Sequence, residues 1–398
     1  MTRSRSRWTI GALVVVVAVL VAWSVGRMAE TAPKTSATQE TTGLHVTSLS
    51  VRGNQIVDQD GAPIRLLGFN NSGAEYACIE GWGIFDGPND DNTRMTASVV
   101  SRMASWKGAN TVRIPLNEQC WLGLAVDPAH GGPAYQNAIR DYVRLLRDHG
   151  FIVVLDLHRS APGSAPSLEQ EQMPDRDHSL DFWRQVATAY KDDTGVVFDA
   201  FNEPFPFAEA DSPRAWQCWR DGGCELLSQN GGQRYVAAGM NELIATIRST
   251  GAPNVIAVGG IHWAEMLNRW LEYRPTDPLN NLIASFHNYA HNPNCRDTNC
   301  YDTVLAEVAK AVPLYVGELG PDTDPDLRET GECTSKSVRP GGFSARILDW
   351  LDEHDASYTP WAWNAWANDC YALISSFVGT PTRFWGKEVQ ARLARNSQ

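Results

Sequence analysis

Two stretches of one design, separated by 115 residues between their glutamates, constrain this chain more than anything else in it. Residues 196–204 read VVFDAFNEP and residues 314–321 read LYVGELGP. Each is a short, mostly apolar, strand-like run that ends on a carboxyl, Glu203 beside Asn202 in the first and Glu318 in the second. An apolar run bounded by turn residues marks a strand buried on both faces, as in a parallel sheet flanked by helices. The C-terminal ends of such strands are where αβ barrels keep their chemistry. A single glutamate there would decide nothing, because most glutamates near an element end cap a segment or pair with a lysine. The repetition of the design is what points to a paired function.

The rest of the chain supplies the scaffold those two strands need. Strand candidates fall at 64–70, 109–116, 151–158, 196–202, 254–259, 282–287, 314–318 and 358–363, and the segments between them carry helical periodicity. Residues 134–149 are one example, with Ile139, Tyr142, Val143, Leu145 and Leu146 on one stripe. Eight such alternations predict a closed (β/α)8 TIM barrel rather than an open doubly wound sheet, and no GxGxxG follows the first strand to argue for a dinucleotide. Residues 46–63 read as a small hairpin turned at Asp60 and Gly61 that plugs the barrel floor. A single domain over 44–398 accounts for the length.

Arg3, Arg5 and Arg7 precede an uncharged apolar run at 8–25, an export signal of some kind. The run is long for a cleaved signal peptide, where about 7–15 apolar residues are usual, and no A-x-A site follows it. An uncleaved signal anchor over 1–29, basic end inside, is therefore preferred over cleavage, with 30–43 as a disordered spacer. Eight cysteines in no zinc-like spacing fit the oxidising side of a membrane. The pairs expected are Cys218 with Cys224, Cys295 with Cys300, Cys78 with Cys120, and Cys333 with Cys370. The balance of 34 basic against 46 acidic residues disfavours nucleic acid or an anionic membrane surface as partner. Fifteen tryptophans offer flat faces for stacking on sugar rings, although most of them can be core.

Polar and aromatic groups gather at the expected strand ends: Arg113, His158, Asn202 with Glu203, His287 with Tyr289, Glu318, and Trp361. In a barrel the fourth and seventh strands face each other across the pore, so two distant glutamates can meet. Hydrolysis of a glycoside needs such a pair, one carboxyl to protonate the leaving oxygen and the other to attack or to activate water. The separation, about 5–5.5 Å for retention and about 6.5–9.5 Å for inversion, is not written in the sequence.

TVRIPL at Arg113, LDLH at His158, FNEP at Glu203, SFHNYA at His287 and Tyr289, VGELG at Glu318 and PWAWN at Trp361 together resemble glycoside hydrolase family 5, the cellulase family of the retaining barrel clan. The resemblance implies that Glu203 is the general acid/base and Glu318 the nucleophile. It implies that Arg113 and Tyr289 hydrogen-bond the nucleophile, that Asn202 grips the sugar 2-hydroxyl, and that His158 and His287 orient these groups. Trp361 would floor the subsite next to cleavage, with Trp363 sharing its strand face. The substrate expected is a β-linked glucan; a β-mannan, a glycolipid or small glycoside, transglycosylation on the same residues, and a dead sugar-binding barrel are the alternatives. No cofactor or metal is expected, because the acidic clusters at 90–91 and 322–326 match no calcium loop. A monomer with a carbohydrate substrate is expected. His158 and His287 can also be satisfied core histidines, and the structural reading is preferred for His262 and His291. Trp82, Trp121 and Trp263 can line further subsites or simply pack. The loop at 159–178 is long enough to narrow a substrate groove.

Overall fold

Eight parallel strands, numbered here β1 to β8, run Gly68–Asn70, Thr111–Asn117, Ile152–Arg159, Val196–Asp199, Ile256–Gly259, Leu282–Asn288, Leu314–Leu319 and Ser357–Tyr358. They come from a computed structural model that describes residues 46–85, 95–208, 211–291, 294–322, 338–366 and 369–396. The expected export segment at 1–29, the spacer at 30–43, the acidic clusters at 90–91 and 323–326, and Cys333 lie outside the described residues. Sequence neighbours are sheet neighbours throughout. The sheet closes on itself, since Leu67 bridges in parallel to Tyr358, the Tyr358 N–H donates to the Leu66 carbonyl at 2.8 Å, and the Asn70 N–H donates to the Pro360 carbonyl at 3.0 Å.

Side chains alternate along each strand, and the two faces bury different cores. Outward residues such as Val112, Ile114, Val153, Leu155 and Phe198 pack under the helices in one large cluster. Inward residues Ile152, Val154, Val197, Ala257, Ile283 and Tyr315 fill the lower barrel, joined there by Val46, Leu49 and Ile56 of the N-terminal hairpin. The hairpin is therefore the floor plug. Its strands, Ser50–Arg52 and Gln55–Val57, turn at Gly53 and Asn54, with Gly53 at φ 65°. The turn expected at Asp60 and Gly61 is a second one, closed by Asp58 side-chain acceptance from the Asp60 and Ala62 amides, that returns Pro63 against Val57.

Helices follow most strands as expected. Pro133–Asp148 starts on a proline, where the missing N–H would be unpaired anyway, and buries Tyr135, Ile139, Tyr142, Val143 and Leu146. The connection 260–281 after β5 departs from the alternation, for it contains turns and no helix. Pro275 and Pro278 break the periodicity there. Buried tryptophans help to cover this side of the barrel, Trp270 donating to the Val258 carbonyl at 3.1 Å and Trp219 to the Gly259 carbonyl at 3.0 Å.

Three of the expected disulfides are present: Cys78–Cys120, Cys218–Cys224 and Cys295–Cys300. The first ties the loops after β1 and β2 at the barrel mouth. The fourth expected pair includes Cys333, which lies outside the described residues.

Candidate active site

The inward positions change character on climbing the barrel. Above the apolar layer of Val154, Val197, Ile283 and Tyr315, the next inward positions on the same strands are Asp156, Asp199, Ser285 and Gly317. Gly317 leaves room at this level, since a Cβ there would sit 3.0 Å from both His287 Nε2 and Ser285 Oγ. Arg113 of β2 occupies the centre, fully buried. Its Nη1 donates to Glu318 Oε1 at 2.8 Å and to Asn70 Oδ1 at 3.0 Å, its Nη2 to Asn202 Oδ1 at 2.8 Å, and its Nε to Asp199 Oδ2 at 3.0 Å. Nη2 also lies 3.0 Å from Asp156 Oδ2. Burial alone would favour loss of its charge, but Asp156, Asp199 and Glu318 around it more than reverse that.

The two glutamates face each other above this arginine. Glu203 follows β4 and Glu318 sits within β7, and the nearest donor atoms of Glu203, His287 and Glu318 all lie within 4.8 Å of one another. His287 Nδ1 lies 2.8 Å from Glu203 Oε1 and 3.7 Å from Glu318 Oε2. Tyr289 donates to Glu318 Oε2 at 2.7 Å. Both Glu318 oxygens are therefore held, one by a guanidinium and one by a phenol, whereas Glu203 meets a histidine.

Their surroundings differ accordingly. Burial pushes Glu203 up to about 6, with His158, a Gln170 hydrogen bond and Arg113 pulling the other way. Burial drops His287 to about 3, so its imidazole is neutral at working pH. Burial also lowers His158, whose Nδ1 lies 2.7 Å from Asp156 Oδ2 and whose Nε2 lies 3.4 Å from Asn202 Nδ2. Burial and the adjacent Glu318 charge push Tyr289 well above its usual value, so it stays a donor.

All eight residues singled out from sequence thus converge on one mouth. Trp361 is half-buried, its ring 5.8 Å from His158 and nearly parallel to it. Trp363, by contrast, is fully buried against Phe69 and Trp106. The Trp361–Ala362 peptide is cis. Trp121 is core, Trp82 is exposed beside Tyr76, and Trp263 stacks on Phe205 at 4.5 Å. His262 lies 3.1 Å from the Asn294 amide, and His291 stacks on Tyr289.

Four residues of the site escaped the sequence reading. Asn70 holds Arg113 and donates to the Gly317 and Thr359 carbonyls. Asp156 and Asp199 flank Arg113. Gln170, from the long loop after β3, donates to the Glu203 carbonyl at 3.2 Å. An aspartate inside each of the apolar runs LDLH and FDAF was a readable signal, because a buried strand carries a charge only where a partner waits. Gln170 offered none.

A second set of donor atoms, from Glu118, Asp175 and His178, also falls within 4.8 Å. Its acceptors are already engaged by the Ser179 hydroxyl and by the Ala161 and His178 amides, so it ties loops together. In the Glu203, His287 and Glu318 set, Glu318 is engaged by the Arg113 guanidinium and the Tyr289 hydroxyl, and Glu203 by His287.

Residues 57–367 match the family model described as cellulase, glycosyl hydrolase family 5. Endoglucanase A of Butyrivibrio fibrisolvens is 24% identical over 71% of this chain and 54% of its own length. A mannan endo-1,4-beta-mannosidase of Salipaludibacillus agaradhaerens is 22% identical over 85% of this chain and 89% of its own length. The chain spans about half the length of the first endoglucanases it matches. In fold it is similar to the beta-glucanase SdGluc5_26A from Saccharophagus degradans, solved with cellotetraose. The TM-score is 0.65 at 20% identity, over 88% of this chain and 94% of that one.

Proposed function

Because this chain belongs to the cellulase family, glycosyl hydrolase family 5, we propose that it is a retaining hydrolase of β-linked glucan. The observation that carries the reading is the gap of at most 4.8 Å between a Glu203 oxygen and a Glu318 oxygen. It lies closer to the about 5–5.5 Å between carboxyls usual for direct attack on the sugar than to the about 6.5–9.5 Å usual for inversion. Glu203, raised to about 6 by burial, protonates the leaving oxygen. Glu318, its oxygens fixed by Arg113 and Tyr289, attacks the anomeric carbon and forms a glycosyl-enzyme intermediate. Glu203, now a carboxylate, takes a proton from the water that displaces Glu318 and returns to its starting state. Asn202, held by Arg113, is assigned to the sugar 2-hydroxyl, and the Trp361 face to the ring beside the cleaved bond.

A β-mannan is the second reading, favoured by the match to nearly the full length of a mannanase. A panel of soluble β-1,4-glucan, β-1,3-glucan, mixed-linkage glucan, β-mannan and aryl glycosides, with product size followed and Glu318→Gln as control, separates them. Shortened glucan supports the first reading, shortened mannan the second. Cleavage of small glycosides alone points to a closed groove, and binding without cleavage sinks the hydrolase reading.

The three disulfides support an oxidising location outside the cytoplasm. Among the described residues no helix is long and apolar enough to cross a membrane. An export segment at 1–29, a spacer at 30–43 and a monomeric catalytic domain at 44–398 complete the proposal. Protease release of the domain from membranes, or its recovery in the medium, tests the anchor.

A further inference from the structure

The charge count beneath the glutamates does not balance. Arg113 of β2 brings one positive charge, and three carboxyls meet it, Asp156 of β3, Asp199 of β4 and Glu318 of β7, with side chains 0%, 1% and 6% exposed. Tyr315 of β7 faces the same layer as a neutral phenol, its hydroxyl 2.6 Å from Thr359 Oγ1. Three ionised carboxylates on one guanidinium would leave two negative charges buried without compensation, which desolvation strongly disfavours. The geometry also locates the imbalance. Glu318 has both oxygens bonded by Arg113 and Tyr289. Among the described residues Asp199 meets only Arg113, through Oδ2. Asp156 uses only Oδ2, toward Arg113 and toward His158 Nδ1 at 2.7 Å, an imidazole whose burial disfavours its charged form. Oδ1 of each aspartate is buried without a hydrogen-bonding partner among the described residues. An anionic oxygen is the least tolerable group to leave so.

We propose that Asp156 and Asp199, paired across β3 and β4, are held as neutral carboxylic acids, so that the single charge of Arg113 is committed to Glu318. They are positioning residues, Asp199 accepting a hydrogen bond from Arg113 Nε and Asp156 lying 3.0 Å from its Nη2, that do not compete for its charge. The role in catalysis rests on the reading of Glu318 as nucleophile; the protonation itself does not. In support, burial pushes Asp199 up to about 8 and Asp156 well above the usual carboxylate range, against the pull of Arg113.

A carboxyl raised in the fold binds its proton more tightly there than in the unfolded chain. Its stabilising contribution is full below about 4 and falls away as the pH rises through the folded value near 8. Asp199→Asn and Asp156→Asn keep the acceptor and the shape but cannot ionise. The Tm of each variant minus that of the wild type is therefore expected to climb between about pH 5 and about pH 8. A difference that stays flat or falls over that range means that the aspartates are ionised in the fold, and overturns the proposal. Carbon-13 NMR of aspartate-labelled protein gives a second readout. Two carboxyl signals that remain in the acid form at about pH 7, one lost in Asp156→Asn and the other in Asp199→Asn, are expected, and carboxylate-form signals for both at that pH would contradict the proposal. Neither readout requires turnover, so the proposal and the hydrolase reading can fail separately.

Discussion

Nη1 of Arg113, carried by β2, lies 2.8 Å from Oε1 of Glu318, carried by β7 on the far side of the barrel. That contact makes the arginine a structural cross-brace as well as the partner of the proposed nucleophile. Arg113→Met removes the guanidinium that meets three buried carboxyls. The expected loss is about 3–5 kcal/mol of stability, read by urea titration, together with loss of turnover. A variant within about 1 kcal/mol of wild type would mean that the arginine holds nothing together.

The acid arm of the reaction sets a pH limit. Glu203 must be protonated to act, and burial places its change of state at about 6. The free-enzyme profile of kcat/KM is therefore expected to fall above about 6. His287, neutral down to about 3, adds no limb between 4 and 8. Replacing Gln170 with Met removes an amide that, beside Glu203, favours its ionised form, and the alkaline limb should move to higher pH.

Leaving-group chemistry distinguishes the two glutamates. Glu203→Gln should lower kcat/KM on a β-glucan by about 10²–10⁴ and far less on an aryl glycoside, whose phenolate departs without a proton. Equal losses on both substrates would deny Glu203 the acid role.

The two neighbouring tryptophans should divide binding from folding. Trp361→Ala exposes little new core and should raise KM with Tm nearly unchanged. Trp363→Ala empties a site packed against Phe69 and Trp106 and should cost about 3–5 kcal/mol. Reversed phenotypes would exchange their assignments.

What was legible in the sequence was the part set by local pattern. Apolar runs ending on Arg113, Glu203 and Glu318 mark both the strands and the side of the barrel where function gathers. Period-two alternation could not separate Trp361 from Trp363, because β8 ends at Tyr358 and the chain beyond it leaves the strand geometry. The turn-only connection after β5 escaped because residues 261–273 are apolar enough to suggest a helix, and only packing reveals that Trp219 and Trp270 cover that side. Asp156 and Asp199 were visible but unread, since their meaning depends on sharing one arginine with Glu318. Gln170 reaches the site from a loop whose course is fixed by distant contacts, among them Glu171 accepting from the Ser228 hydroxyl and the Gln229 amide.

The stereochemistry of the first product tests the central claim most directly. With Glu203 and Glu318 within 4.8 Å, the anomeric proton signal appearing first by NMR during cleavage of a soluble β-glucan should be that of the β-anomer, with Glu318→Gln inert. The α-anomer appearing first, or full activity in Glu318→Gln, would contradict a double displacement through Glu318.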